Sequence, residues 1–344
     1  MCNWKKAILG ILPAFLLCGC ESGKTVQDME SVTGLSEGGI MAAEDENLIS
    51  VGVSQIGSES DWRMAINQSL KSVFTAENGF YLVFNDAQQK QENQIKAMRN
   101  FILQEVDYIV LDPIVETGWD AVLQEAKDNQ IPVIIVDRMV DAPEDLFTCW
   151  VGSDFHQEGE DAARWLADYL KEQGREDEQI NLVTLQGTLG SSAQLGRTAG
   201  FASVMKEHKN WNMLGMESGD FTQAKGQECM EEFLKNYPDI DVLISENDNM
   251  TFGAIDAIHR AGRTCGPEGD ILVISFDAVS AALEAMMDGD INAVFECNPL
   301  HGPRVLNIIR DLEAGKTVDK TQYVDETYFD ASMDLKKIIK ERTY

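Results

Sequence analysis

Val51 to Arg63 reads "VGVSQIGSESDWR". An apolar run of strand character breaks into glycine, serine and acid. Trp62 then opens a spacing of apolar residues, Ile66, Leu70, Val73 and Phe74, that suits one face of a helix. Strand, polar turn and helix in that order make half of a βαβ unit. Such a turn can cradle a phosphate, present a nucleophile, or hold a neutral ligand through hydroxyls.

The same beat continues along the chain. Strand candidates follow at Leu48–Val53, Tyr81–Phe84, Asp107–Leu111, Pro132–Val136, Ile180–Leu185, Asn212–Met216, Val242–Ser245, Ile271–Phe276 and Ile291–Phe295. They are short, apolar and without alternation, the pattern of parallel strands covered on both faces. Between them run helical spacings such as Ile95, Met98 and Ile102, and glycines at Gly79, Gly174, Gly262, Gly289 and Gly315 mark helix ends. Strand and helix in alternation predict a doubly wound α/β fold. About ten such units are too many for one ordinary open sheet and do not match the eight of a barrel. Two sheets side by side, with a cleft between, fit the count.

The first twenty residues, "MCNWKKAILGILPAFLLCGC", set Lys5 and Lys6 before an apolar run from Ala7 to Leu17, the layout of a secretory signal. The run is too short to span a bilayer. Its end, "LLCGC", resembles the bacterial lipoprotein box, which implies cleavage after residue 19 and acylation of Cys20, with an ordinary cleaved signal as the alternative. Two or more acyl chains on Cys20 would anchor the protein stably. Residues 20–47, rich in Ser, Gly and acids, read as a flexible acidic tether. The net charge of -30 argues against nucleic acid and anionic lipid as partners.

Cys2, Cys18 and Cys20 belong to the signal region. Cys149, Cys229, Cys265 and Cys297 are scattered with no CxxC spacing, so neither a disulfide framework nor a zinc site is expected. Buried free thiols are the expectation, with one disulfide as the alternative.

In open parallel sheets, ligands bind outside the carboxyl ends of the strands. Those positions carry Gln55, Ser58, Asn85, Asp86, Asp112, Asp137, Arg138, Gln186, Asn247, Asp248, Asp277 and Glu296. Each alone also suits a helix cap or turn. Together they offer carboxylate, amide and guanidinium heads, which satisfy paired sugar hydroxyls. Trp62 is the candidate ring to cover a sugar's apolar face, or else a core side chain. Trp119, Trp150, Trp165 and Trp211 read as packing.

Signals for enzymes fail in turn. There is no G-x-S-x-G elbow, and "SVMK" at Ser203–Lys206 falls inside a helical run without its companion motifs. Two "GKT" fragments, at Gly23 and Gly315, lack the earlier glycine of a phosphate loop. His156, His208, His259 and His301 form no i,i+4 pair and read as surface residues. Paired acids leave a glycosidase open on composition, although its usual folds differ.

Taken together, "VGVSQIGSESDWR", "DAQQKQENQIKAMRNFI", "DPIVETGWDAVLQEAKD", "IPVIIVDR", "LQGTLGSSAQLGRTAGF", "SGDFTQAKGQECMEEF", "NDNMTFGAIDAI" and "AMMDGDINAVFE" resemble the type I periplasmic sugar-binding proteins of ABC importers. The segment "QQKQENQIKA" resembles the galactofuranose-binding branch in particular. The resemblance implies a Venus flytrap of two wound lobes joined by three crossings, near Val151–Asp154, Phe295–Pro299 and Thr321–Asp325. The lobes would comprise 48–152 with 298–322, and 153–297 with 323–344. Carried over position by position, it implies a sugar site of Ser54, Ser58, Glu59, Trp62, Arg63, Asp86, Gln88, Asp112, Asp137 and Arg138 facing Arg197, Asn247, Asp277 and Glu296. It further implies that Arg138, Arg197, Asp137 and Asp277 pair with one another. Two positions depart from the branch: Asp112 stands in place of alanine, as an added acceptor or a turn cap, and Gly196 in place of aspartate.

The expected protein is a monomeric lipoprotein on the outer face of a Gram-positive-like cytoplasmic membrane. It would pass a monosaccharide such as galactofuranose to an ABC permease, without cofactor or metal and without catalysis. The alternative is a sugar sensor that presents its closed form to a receptor kinase.

Overall fold

The computed structural model describes residues 48–344. The signal, the tether and Cys20 lie outside the described residues. Ten strands alternate with helices before two short ones finish the sheets. In chain order they are β1 (Ile49–Gln55), β2 (Phe80–Asp86), β3 (Tyr108–Leu111), β4 (Val133–Val136), β5 (Cys149–Gly152), β6 (Ile180–Gln186), β7 (Trp211–Ser218), β8 (Val242–Ser245), β9 (Leu272–Asp277), β10 (Ala293–Glu296), β11 (Thr321–Tyr323) and β12 (Tyr328–Asp330). The helices are α1 (Asp61–Val73), α2 (Gln91–Leu103), α3 (Asp120–Asp128), α4 (Phe155–Glu172), α5 (Ser192–Met205), α6 (Gln223–Asn236), α7 (Asp248–Arg260), α8 (Ser280–Asp288), α9 (His301–Glu313) and α10 (Leu335–Glu341).

Two six-stranded sheets result, ordered β11-β5-β4-β3-β1-β2 and β12-β10-β9-β8-β6-β7. The two orders are the same pattern used twice. In each, the chain starts one strand in from an edge (β1, β6), steps outward to that edge (β2, β7), then reverses direction through the remaining strands. That reversal puts a crevice beside the first strand of each sheet, where ligands of doubly wound folds bind. Strands are parallel throughout except β12, which runs antiparallel to β10.

The sequence placed the central strands correctly and missed β5, β11 and β12. β5 reads "CWVG" and is followed directly by polar residues. β11 and β12 are three residues each, and TQY carries no apolar signal at all.

Both sheets have buried faces. Behind the first, Trp119 is fully buried among Phe101, Leu111 and Ile135. Behind the second lie Leu166, Phe201 and Ile274. Covering a large aromatic or branched side chain contributes about 1.5–3 kcal/mol each, which makes these helix–sheet layers the rigid supports of whatever the strand ends carry. Gly79, Gly174, Gly262, Gly289 and Gly315 all adopt the left-handed conformation that ends a helix.

The chain passes between the sheets three times, after β5, after β10 and after β11. One carboxylate ties all three passages: Glu326 Oε1 accepts from Ser153 Oγ at 2.7 Å and from the Asn298 amide at 2.6 Å. Burial and the nearby Glu158 push the Glu326 carboxyl up to about 8.

Three of the histidines are exposed or half-buried, as read from the sequence, but His301 is fully buried. It opens α9 edge-on to Trp62, 6.4 Å between centroids, and burial lowers its imidazole to about 4. Cys149, Cys265 and Cys297 are buried and Cys229 is half-buried, and all four are free thiols.

Candidate functional site

A cavity lies between the carboxyl ends of the two sheets, enclosing about 300 Å³, some of it open to solvent. The first lobe lines it with Glu59, Ser60, Trp62, Arg63, Asp137 and Arg138. The second lines it with Phe155, Ala193, Arg197, Phe221, Asn247 and Asp277, and Cys297 closes the side at a crossing.

Arg63 reaches the wall because α1 starts there. Ser60 caps that helix, its hydroxyl accepting from the Arg63 amide at 3.1 Å, which turns the next side chains inward. The Arg63 guanidinium pairs with Asp112, with Asp137 at 3.1 Å and with Glu59 at 3.2 Å. Burial alone would lower its pKa, but the three carboxylates more than offset that and hold it raised. Asp112 therefore lies behind the wall as the anchor of Arg63, with its own carboxyl pushed up by burial against the pull of that arginine. Ser54 is likewise buried and does not line the cavity.

Arg197, on α5, mirrors Arg63 from the other sheet. Its Nε pairs with Glu158 at 2.6 Å, its Nη2 lies 3.5 Å from Asp277, and its Nη1 donates to the Glu246 carbonyl. The guanidinium carbon also stacks on Phe276 at 4.9 Å and on Phe155 at 5.3 Å. Burial pushes Glu158 up to about 7 despite Arg197. Asp277 is pushed well above its ordinary range by burial too.

Arg138 differs from both. Among the described residues it has no carboxylate at ion-pair distance: Nη1 donates to the Ile114 carbonyl at 2.9 Å, and the guanidinium lies over Phe221, 4.9 Å from the centroid. Burial and the neighbouring Arg63 lower its pKa. The expected mutual pairing of Arg138, Arg197, Asp137 and Asp277 therefore takes another form. Asp137 goes to Arg63, Asp277 goes to Arg197, and Arg138 keeps donors for the cavity.

The two strand-end aspartates share an unusual backbone. Asp137 has φ 58°, Asp277 has φ 103°, and Ala278 follows at φ 63°. Non-glycine residues are seldom held there unless the surroundings fix them, and such positions cluster at functional sites. Here the Asp137 amide bonds to Val151 at 3.0 Å, while Asp248 accepts from the Val279 amide at 2.8 Å and secures the second turn. Asn247 caps α7 through its side-chain oxygen and donates its amide to the Phe221 carbonyl at 3.2 Å.

Phe221 needs room to reach the cavity, and Gly187 supplies it: a Cβ there would fall 1.8 Å from the ring. Gly196 faces α4 rather than the cavity, where a Cβ would come 2.6 Å from that of Phe155.

Besides Ser54 and Asp112, four expected residues are not on the wall. Ser58, Asp86 and Gln88 are exposed and bond to each other, Ser58 Oγ to Asp86 at 3.1 Å and the Gln88 amide to Asp86 at 2.8 Å. Asp86 and Gln88 sit at the carboxyl end of β2, the edge strand, one strand farther from the crevice than β1. Glu296 is buried but committed elsewhere, accepting from Arg342 and from the Tyr344 hydroxyl, each at 2.7 Å. Conversely, Ser60, Phe155, Ala193, Phe221, Cys297 and the anchoring Glu158 were not singled out from the sequence. Phe221 lies just past the end of β7, a strand end for which no site residue was named, and Phe155 follows the unrecognised β5.

The lobes meet around the rim. The Asp61 amide donates to Asn249 at 3.0 Å, the Met139 amide to Ser192 at 2.8 Å, and the Glu116 amide to the Gly190 carbonyl at 2.9 Å. Trp62 Nε1 donates to the Cys297 carbonyl at 2.5 Å.

Residues 51–302 match a family model, that of the periplasmic binding protein domain. The chain belongs to this family. Within the family it is 44% identical over 260 residues to the galactofuranose-binding protein YtfQ of Escherichia coli (strain K12), covering 74% of this chain and 79% of that one. The structure of a protein from Mycobacterium smegmatis in complex with β-D-fucofuranose superposes with a TM-score of 0.80 at 40% identity, over 84% of this chain and 93% of that one. A third relative is the binding component of the arabinose ABC transporter from Shewanella sp. ANA-3, bound to α- and β-L-arabinofuranose. It gives 0.79 at 41% identity, over 85% and 95% of the two chains.

Proposed function

We propose that this periplasmic binding protein captures one monosaccharide, in its furanose form, between the lobes and delivers it to an ABC sugar permease. The observation that carries the reading is the meeting at one cavity of Asp137 and Arg138 from the first sheet with Asn247 and Asp277 from the second. Guanidiniums and carboxylates are nearly matched there, so a charged ligand gains little. A neutral ring of hydroxyls, each both donor and acceptor, satisfies both kinds of head. Phe155, Phe221 and Trp62 supply apolar faces for the ring carbons. The relatives' furanose ligands favour the five-membered ring.

Of the residues named from the sequence, Glu59, Trp62, Arg63, Asp137, Arg138, Arg197, Asn247 and Asp277 would touch the sugar, with Ser54 and Asp112 behind them. Ligand contacts to both lobes would favour the closed arrangement over an open one, a population shift about the three crossings. The lobes would be 48–152 with 298–322 and 153–297 with 323–344, a division that fits the sheets except at Tyr323, which ends β11 in the first sheet. Lipid on Cys20 would hold a monomer at the outer face of the membrane. Binding proceeds without chemistry on the sugar, because the acids that face the cavity are engaged by arginines.

Equilibrium dialysis against labelled D-galactose and L-arabinose tests the reading. Saturable binding by the protein and its loss in Asp277→Asn support it, whereas no retention of either sugar, or conversion of a glycoside, contradicts it.

A further inference from the structure

We propose that His259, Cys265 and Asp290 form a zinc-binding site at the pole of the second lobe remote from the cavity. His259 sits in the last turn of α7, Cys265 is bridged to Ile271 just before β9, and Asp290 follows α8 ahead of β10. All three gather at the amino ends of β9 and β10, a strand's length of roughly 16–20 Å from the cavity at the other end.

The geometry is that of a coordination shell. His259 Nε2 lies 3.1 Å from Asp290 Oδ1, Cys265 Sγ lies 3.7 Å from His259 Nε2, and Sγ lies 3.8 Å from Asp290 Oδ1. Zinc bonds of about 2.0–2.3 Å at tetrahedral angles put neighbouring ligand atoms roughly 3.3–3.8 Å apart. Three atoms thus already stand close to one face of a tetrahedron. An ordinary surface ion pair would account for His259 and Asp290, but not for a thiol placed against both.

The backbone holds this arrangement. The Cys265 loop is closed by Gly266 N to the Ile271 carbonyl at 2.9 Å and by the Thr264 amide to Asp270 at 3.1 Å. The Asp290 amide is fixed on the Ala285 carbonyl at 3.0 Å. Cys265 is buried, while the His259 and Asp290 side chains are 47% and 29% exposed, so the fourth position faces solvent and suits a water ligand. Thiolate with imidazole selects zinc over magnesium or calcium.

Cys265 binds zinc as its thiolate, so its proton passes to solvent as the sulfur–zinc bond forms. The sequence hid the site because its ligands come from three separate elements with no motif spacing.

The test uses the full chain after chelator treatment and does not depend on the sugar reading. Zinc titration is expected to show one saturable site with proton release, and cobalt substitution to give a thiolate-to-cobalt charge-transfer absorption. Cys265→Ser should abolish that absorption and weaken zinc at least about a hundredfold, with His259→Gln, an exposed change, weakening it at least about tenfold. Absence of the absorption in the parent chain, or zinc affinity unchanged in His259→Gln, overturns the proposal.

Discussion

Arg138 and Phe221 meet across the cleft, one from each lobe, with the guanidinium carbon 4.9 Å from the ring centroid. Arg63 and Arg197 are each held by carboxylates, but among the described residues Arg138 has only the Ile114 carbonyl and this aromatic face. It lacks the carboxylate partners that hold the other two, and its remaining guanidinium N–H groups can donate to a ligand. Removing it as Arg138→Ala is expected to weaken sugar binding by about 3 kcal/mol, on the order of a hundredfold, because a charged donor to a buried hydroxyl is lost. Calorimetric titration of the variant checks this, and an unchanged affinity would place the ligand elsewhere.

Phe221 depends on the missing side chain at Gly187. Gly187→Ala forces the ring aside, an overpacking that costs about 1–3 kcal/mol. The expected result is a lower melting temperature together with weaker sugar binding, whereas a variant with normal affinity would show that Phe221 does not cover the ligand.

The crossings should respond to pH through Glu326. Its carboxyl is raised to about 8 by burial, so between the ordinary carboxylate range and that value the folded protein keeps a proton that the unfolded chain releases. Stability from this group is present at low pH and lost as pH rises through that window. Glu158, raised to about 7, acts in the same direction. Glu326→Gln stays neutral and retains a carbonyl to accept from Ser153 and Asn298. It should melt about 2–4 °C above the parent at pH 8 and show a shallower decline from pH 5 to pH 8. Thermal scans across pH measure both, and parallel curves for the two proteins would refute the assignment.

The fold was legible because buried parallel strands leave short uninterrupted apolar runs such as "IPVIIVD". The site was legible where a strand end points into the crevice, as at Asp137 and Asp277. It was not legible where topology intervenes. Asp86 ends a strand just as Asp137 does, yet β2 is at the edge, one strand farther from the crevice than β1. Glu296 ends β10 but is claimed by Arg342 and Tyr344 from the last residues of the chain. Glu158 and Glu326 act through partners far along the chain, Arg197 and Asn298, and nothing in their local sequence distinguishes them from solvent-facing acids.

A lipid anchor at Cys20 would be separable from binding. Cys20→Ser should abolish incorporation of labelled palmitate and release the protein into the medium with its sugar affinity unchanged. Fractionation of cells expressing each form checks this, and continued membrane association of the variant would contradict the lipid anchor.

The central claim is that the cavity takes a single furanose ring. Isothermal titration of the protein, unfolded and refolded to remove carried-over ligand, against D-galactose, methyl β-D-galactofuranoside and methyl β-D-galactopyranoside tests it most directly. One-to-one binding of galactose and of the furanoside, with the pyranoside inert, is the predicted result. Binding of the pyranoside as tightly as the furanoside, or saturable binding by none of the three, would contradict it.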